Sequence, residues 1–170
     1  MMKASNITKG GILIALTLIF IYLSSIIPTN KLSLMTITSF IIILSIISLG
    51  VKTGILVFVA SSILSFFIVT PKEIVFTYIL FFGLYGFVKY YIEHFNNVPL
   101  ELFLKLIYFN VSMFILFYLY KTLFIGDFSS YKIYFPIYTL IIFSEIIFFV
   151  FDYVLTLFVS YYNKHFASKF

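Results

Sequence analysis

The chain has 170 residues, of which 63% are hydrophobic and only 10% charged, and its mean hydropathy is +1.17. A soluble domain carries about 25% charged residues, and a globule of this composition would present Ile, Leu and Phe to water and aggregate. Its formal charge of +5 comes from lysines scattered between apolar runs, which excludes a nucleic-acid footprint, and the absence of cysteine excludes disulfides, thiolate metal sites and cysteine nucleophiles.

A helix needs about 20 largely apolar residues to cross the hydrocarbon core. The first apolar run, Gly10 to Ile27, follows Lys3 and Lys9. It lacks a small-residue cleavage pattern and further apolar runs follow at once, so it reads as a retained first helix. The pattern predicts an all-α fold of six transmembrane helices, near residues 10–27, 33–49, 52–70, 74–92, 99–123 and 136–162. Pro28, Gly50 and Pro71 punctuate the first three. Pro99 and Pro136 open the last two, where a missing N–H costs no helical bond. The longest connection, 124–135, holds Gly126, Asp127, Ser129 and Ser130. Short loops leave no room for a soluble domain, so residues 1–170 read as one membrane domain.

The lysines suggest an orientation. With the N-terminus in the cytoplasm, Lys3, Lys9, Lys52, Lys89, Lys164 and Lys169 lie inside. Lys31, Lys72, Lys121 and Lys132 lie outside. Lys105, one and a half turns into the fifth helix, is expected to snorkel to the inner face. This split has the sign of the positive-inside rule and sets both termini in the cytoplasm.

In lipid each charged side chain costs several kcal/mol unless paired or solvated, so intramembrane polar residues are informative. The sixth helix carries Tyr138, Glu145, Asp152 and Thr156 at spacings of seven, seven and four. That places them near one face, which is expected to turn inward. Glu145 reads either as a substrate or proton group, or as a protonated or helix-bonded acid with Asn110 as its partner. Asp152 reads as a possible ion or proton group, or as a carboxylate within reach of Lys89, Lys105 or inner-leaflet water.

Asn110 and Ser112 lie at mid-span in the fifth helix. Helix–helix glue accounts for them as well as a binding role does. Tyr118, Tyr120, Tyr134 and Tyr138 fit an interfacial aromatic belt or an aromatic pocket. The hydroxyls of the second and third helices read as packing groups that bond locally. Lys89/Glu93 and Glu101/Lys105 are four apart and read as local helix support. His94 and His165 have no metal-ligand spacing, and no cofactor or metal is expected. Nothing pairs a nucleophile with a base, so the chain is not expected to be an enzyme.

Gly11 and Ala15 form a small-xxx-small pair one turn apart in the first helix. Such a pair admits another helix close to the backbone, whether inside the bundle or from a separate subunit.

In length, helix number, short loops and a lysine-then-apolar opening, the chain resembles the substrate-binding S components of energy-coupling factor (ECF) transporters. Gly11 and Ala15 match the family's Ala-xxx-Ala position, with Gly in place of the first Ala. The segment from Ile26 to Leu32 resembles its gate between the first two helices, and Gly50 to Gly54 its tight turn between the second and third. The resemblance implies that Gly11 and Ala15 dock on a transmembrane coupling subunit driven by two ATPases. It implies a small solute, such as a vitamin or related micronutrient, held near the outer half by the last three helices and the first loop. Asn110, Tyr138 and Glu145 are then the pocket candidates, and toppling of the whole subunit is the implied mechanism. Composition without Arg, Trp or Cys looks like AT-rich coding, which points to a bacterial cell membrane. Two rivals stay open: a rod-shape-type membrane scaffold without a solute, and a proton-coupled carrier using Glu145 and Asp152.

Overall fold

The computed structural model describes residues 4–95, 97–123 and 137–165. It contains six helices long and apolar enough to cross a membrane, and no strand among the described residues. The chain is therefore an all-α, multi-pass membrane protein. The helices are α1 (Ala4–Ile26), α2 (Lys31–Leu49), α3 (Val51–Ile68), α4 (Lys72–Phe95), α5 (Val98–Leu123) and α6 (Ile137–His165). Apolar side chains stand outward in a way that water would not tolerate, with Phe67 79% and Phe114 71% exposed. In a bilayer they are solvated by acyl chains.

The boundaries that differ most from the sequence expectation are in α1 and α4, and α6 also runs three residues further, to His165. α1 starts at Ala4, because Ser5, Asn6, Thr8 and Lys9 continue the helix beyond the apolar run. α4 extends on both sides, to Lys72 and Phe95. The expected loop 124–135 and Pro136 lie outside the described residues, as do Lys3 and Lys169.

The chain divides into two compact units, Met1–Lys105 and Leu106–Phe170. In the first, α1, α2 and α3 pack on one another and α4 lies against α2. Its core joins Ile42 and Ile46 of α2, Val57 of α3 and Phe87 of α4, with Leu13, Ile14, Val51 and Phe58 around them. α2 and α3 meet through a single residue, Gly50, whose φ of +89° suits glycine alone. Its N–H closes α2 on Ile46 O, and its carbonyl receives the Gly54 N–H of α3, both at 3.0 Å. A Cβ at Gly54 would come within 2.7 Å of Ile46 Cγ1, so glycine there lets the two helices close.

α4 is not a regular helix. It is π-helical over Tyr78–Gly83, between α-helical Lys72–Thr77 and Leu84–Ile92, and ends in a 3-10 turn over Glu93–Phe95. In a regular helix, residues five apart point about 140° from each other. The i→i+5 bonding of a π turn brings them to one side. Tyr78 and Gly83 thereby both meet Phe58 of α3: the Tyr78 and Phe58 rings are 6.1 Å apart, and a Cβ at Gly83 would lie 2.5 Å from Phe58 Cε2.

The hydroxyls behave as expected of membrane helices. Most bond the preceding turn of their own helix, as Thr17 does to Leu13 O, Ser45 to Ile42 O and Ser62 to Phe58 O. Two bridge helices at the π turn. Ser39 of α2 donates to Phe82 O at 2.6 Å, and Ser61 of α3 shares a 2.6 Å hydrogen bond with the Tyr78 hydroxyl.

In the second unit, the α5 segment from Leu106 meets α6 at one aromatic contact. Phe109 and Phe148 stack at 4.6 Å between centroids and 21° between planes.

Candidate functional site

α1 is two-faced. Gly10, Thr17, Ile21 and Ser24 are buried, and a Cβ at Gly10 would touch Thr53 Cγ2 of α3 at 3.4 Å. Gly11 and Ala15 fall on the opposite side, with Ile12, Leu16, Ile19 and Tyr22. They are exposed, and among the described residues nothing lies within 4 Å of where a Gly11 Cβ would stand. Among the described residues of Met1–Lys105, helix packing therefore does not use this pair. It forms a shallow notch between large apolar side chains.

The polar residues of α6 are less uniform than their spacing suggests. With each residue turning a helix by about 100°, the buried face is centred on Phe148, Asp152 and Leu155. Asp152 is 7% exposed and is not free of partners. Glu145 sits on the flank of that face, half-buried, with no hydrogen bond or ion pair among the described residues. Thr156 falls outside the face and is exposed, its hydroxyl donated to the Asp152 carbonyl at 3.0 Å. The expected inward stripe is thus skewed: spacings of seven and four drift around the helix. Tyr138 belongs to the first turn of α6, and its side chain lies outside the described residues.

Asn110 is exposed, and its Nδ2 donates to Leu106 O of its own helix at 3.0 Å. No hydrogen bond joins it to Glu145 among the described residues. The Phe109–Phe148 stack sets the two helices side by side at this level, and Asn110, one residue on, is turned off that contact.

The strongest charged constellation joins the expected i,i+4 pair Lys89/Glu93 to Lys105. Glu93 Oε1 receives both Lys89 Nζ at 2.6 Å and Lys105 Nζ at 2.9 Å. Lys89 is fully buried and Lys105 is 4% exposed. Lys105 reaches back from α5 toward the α4–α5 connection, the end expected to lie inside, and is buried there on Glu93. A carboxylate shared by two ammonium groups ties these helix ends together, and both lysines have further interactions. The sequence signal was there, since two lysines and a glutamate flank one short connection, but burial was not legible from spacing.

His165 stacks on Tyr161 at 4.3 Å and its Nδ1 lies 3.1 Å from the Tyr161 carbonyl, a local arrangement at the end of α6. No cluster of three metal-ligating residues occurs among the described residues. No known protein family, curated protein or solved structure matches the chain.

Proposed function

We propose that this protein is the solute-binding membrane subunit of an ECF-type importer in a bacterial cell membrane, with both termini in the cytoplasm. The observation that carries the reading is the outward-facing Gly11–Ala15 notch, open at Gly11, on a helix whose other face is committed to α2 and α3. A small-residue notch in lipid has a use when another helix closes on it, since van der Waals packing at close backbone approach drives helix association there. Six helices with tight turns such as the Gly50 corner, and no extramembrane domain among the described residues, agree with a subunit that relies on partners for energy. The partners are a coupling transmembrane subunit and two ATPases. The cargo is a small solute such as a vitamin or related micronutrient, and Asn110, Tyr138 and Glu145 are proposed to contact it.

The test is co-expression with a coupling subunit and its ATPases, followed by affinity purification and mass spectrometry of small molecules carried through. A retained complex that Gly11→Leu or Ala15→Leu breaks supports the reading. A complex indifferent to both changes removes the docking role. A second reading, a proton-coupled carrier, draws on Glu145, a half-buried acid with no ion pair among the described residues.

A further inference from the structure

The corner between α3 and α4 has a feature that the importer role does not use. Lys72 opens α4 and folds back over the end of α3. Its ammonium donates to the carbonyls of Phe66 and Val69 and lies 4.7 Å from the centroid of the Phe66 ring. These carbonyls are left without helical donors at a C-terminus, where the helix dipole also favours a cation. An ammonium has three N–H donors. Two are used here, and the third has no acceptor among the described residues.

Next to this cation an open groove of about 280 Å³ runs between α3 and α4, lined by Ser62, Ile63, Phe66, Phe67 and Ile79. Its one hydroxyl, Ser62, is spent on Phe58 O at 2.7 Å, so the groove offers hydrocarbon alone. Phe66 and Phe67 meet edge-on at 6.1 Å and form one wall. Solute pockets are typically about 300–1,000 Å³, enclosed, and supplied with a few aimed polar groups. This groove is open and without them, which suits a hydrocarbon chain and not a solute.

The depths agree. Lys72 is the first residue of its span, at headgroup level. Ser62 and Ile79 each lie seven residues in from Val69 and Lys72, about 10 Å deeper at 1.5 Å per residue. A cation at the membrane surface thus stands at the head of an apolar slot that enters the acyl region.

We propose that this corner binds one anionic phospholipid, with its phosphate on the free Lys72 donor and an acyl chain in the groove against Phe66, Phe67 and Ile79. The Lys72 ammonium, although partly offset by Glu73 beside it in the first turn of α4, selects the anionic lipid. A zwitterionic headgroup brings its own ammonium, which competes with Lys72 for the phosphate.

The test is native mass spectrometry of the delipidated full chain in detergent, titrated with phosphatidylglycerol and with phosphatidylcholine of identical acyl chains. Wild type is expected to retain one phosphatidylglycerol, about fivefold tighter than phosphatidylcholine, the worth of one cation at headgroup level. Lys72→Gln keeps an N–H donor for the α3 carbonyls and removes the charge, so the preference is expected to vanish. Ser62→Leu fills the open groove and is expected to lower occupancy of the retained lipid while circular dichroism stays unchanged. Equal binding of the two lipids by wild type, a preference that survives Lys72→Gln, or occupancy untouched by Ser62→Leu overturns the assignment.

Discussion

Ser39 on α2 and Phe82 on α4 are joined by a 2.6 Å hydrogen bond from hydroxyl to backbone carbonyl, inside the π turn of α4. Both the hydroxyl and the turn are buried, so the bond has no water to replace it. Ser39→Ala is expected to destabilise the protein by between about 0.6 kcal/mol, the average for polar contacts between membrane helices, and about 1.7 kcal/mol, their maximum. Ser48→Ala, on the same helix but exposed and bonded only to Leu44 O, should stay within about 0.5 kcal/mol. Denaturant unfolding in mixed micelles measures both, and equal effects would mean the bridge contributes nothing.

Gly83 is a packing constraint of the same turn. A methyl there would stand 2.5 Å from the Phe58 ring, and that ring is held by Tyr78 at 6.1 Å and Phe87 at 5.8 Å. Helix propensity favours Ala over Gly by about 1 kcal/mol, but overpacking costs about 1–3 kcal/mol and should win. Gly83→Ala is expected to destabilise, and Phe58→Leu in the same chain to recover part of the loss. A stabilised Gly83→Ala would show that the ring gives way freely.

Glu93 holds two buried ammonium groups. Removing one partner of a buried ion pair costs about 3–5 kcal/mol. The Glu93 side chain keeps 30% exposure, and the lysines have other interactions, so Glu93→Gln should fall near the lower end. Loss of less than about 1 kcal/mol in the same unfolding assay, as for a surface pair, would contradict this geometry.

The Gly11–Ala15 notch makes a prediction about the isolated chain as well as the complex. Because a Gly11 Cβ meets nothing within 4 Å among the described residues, Gly11→Leu should leave the stability of the subunit alone within about 0.5 kcal/mol, as for other open surface positions. Capture of a coupling subunit should fall at the same time. A large intrinsic loss of stability would assign the notch to internal packing instead.

Glu145→Gln separates the two transport readings. For an ATP-driven importer, uptake ignores a protonophore, and the variant loses solute binding by about tenfold, one hydrogen bond to a charged group. A carrier would keep binding, lose uptake and respond to the protonophore in its wild-type form.

Six spans were legible in the sequence because the bilayer imposes one rule on every helix: about 20 apolar residues bounded by polar or helix-breaking ones. Pro28, Gly50, Pro71 and Pro99 mark ends that the structure keeps within a few residues. Self-bonded hydroxyls were legible for a similar reason, since a lone Ser or Thr in a helix finds its acceptor one turn back. Side-chain placement was not. Spacing grouped Glu145 with Asp152 and Thr156, whereas packing buries Asp152, leaves Glu145 on the flank and turns Thr156 out.

What the sequence determined by itself was the number of spans, their rough limits and the exclusion of a water-exposed globule, all consequences of local hydropathy. Only the tertiary structure decided which way Gly11 points, that Lys89 and Lys105 share Glu93, that Lys72 caps α3, and that α4 takes a π turn so that Tyr78 and Gly83 both meet Phe58. Each of these depends on which face of one helix meets which face of another. Hydropathy cannot encode that choice when every face is apolar.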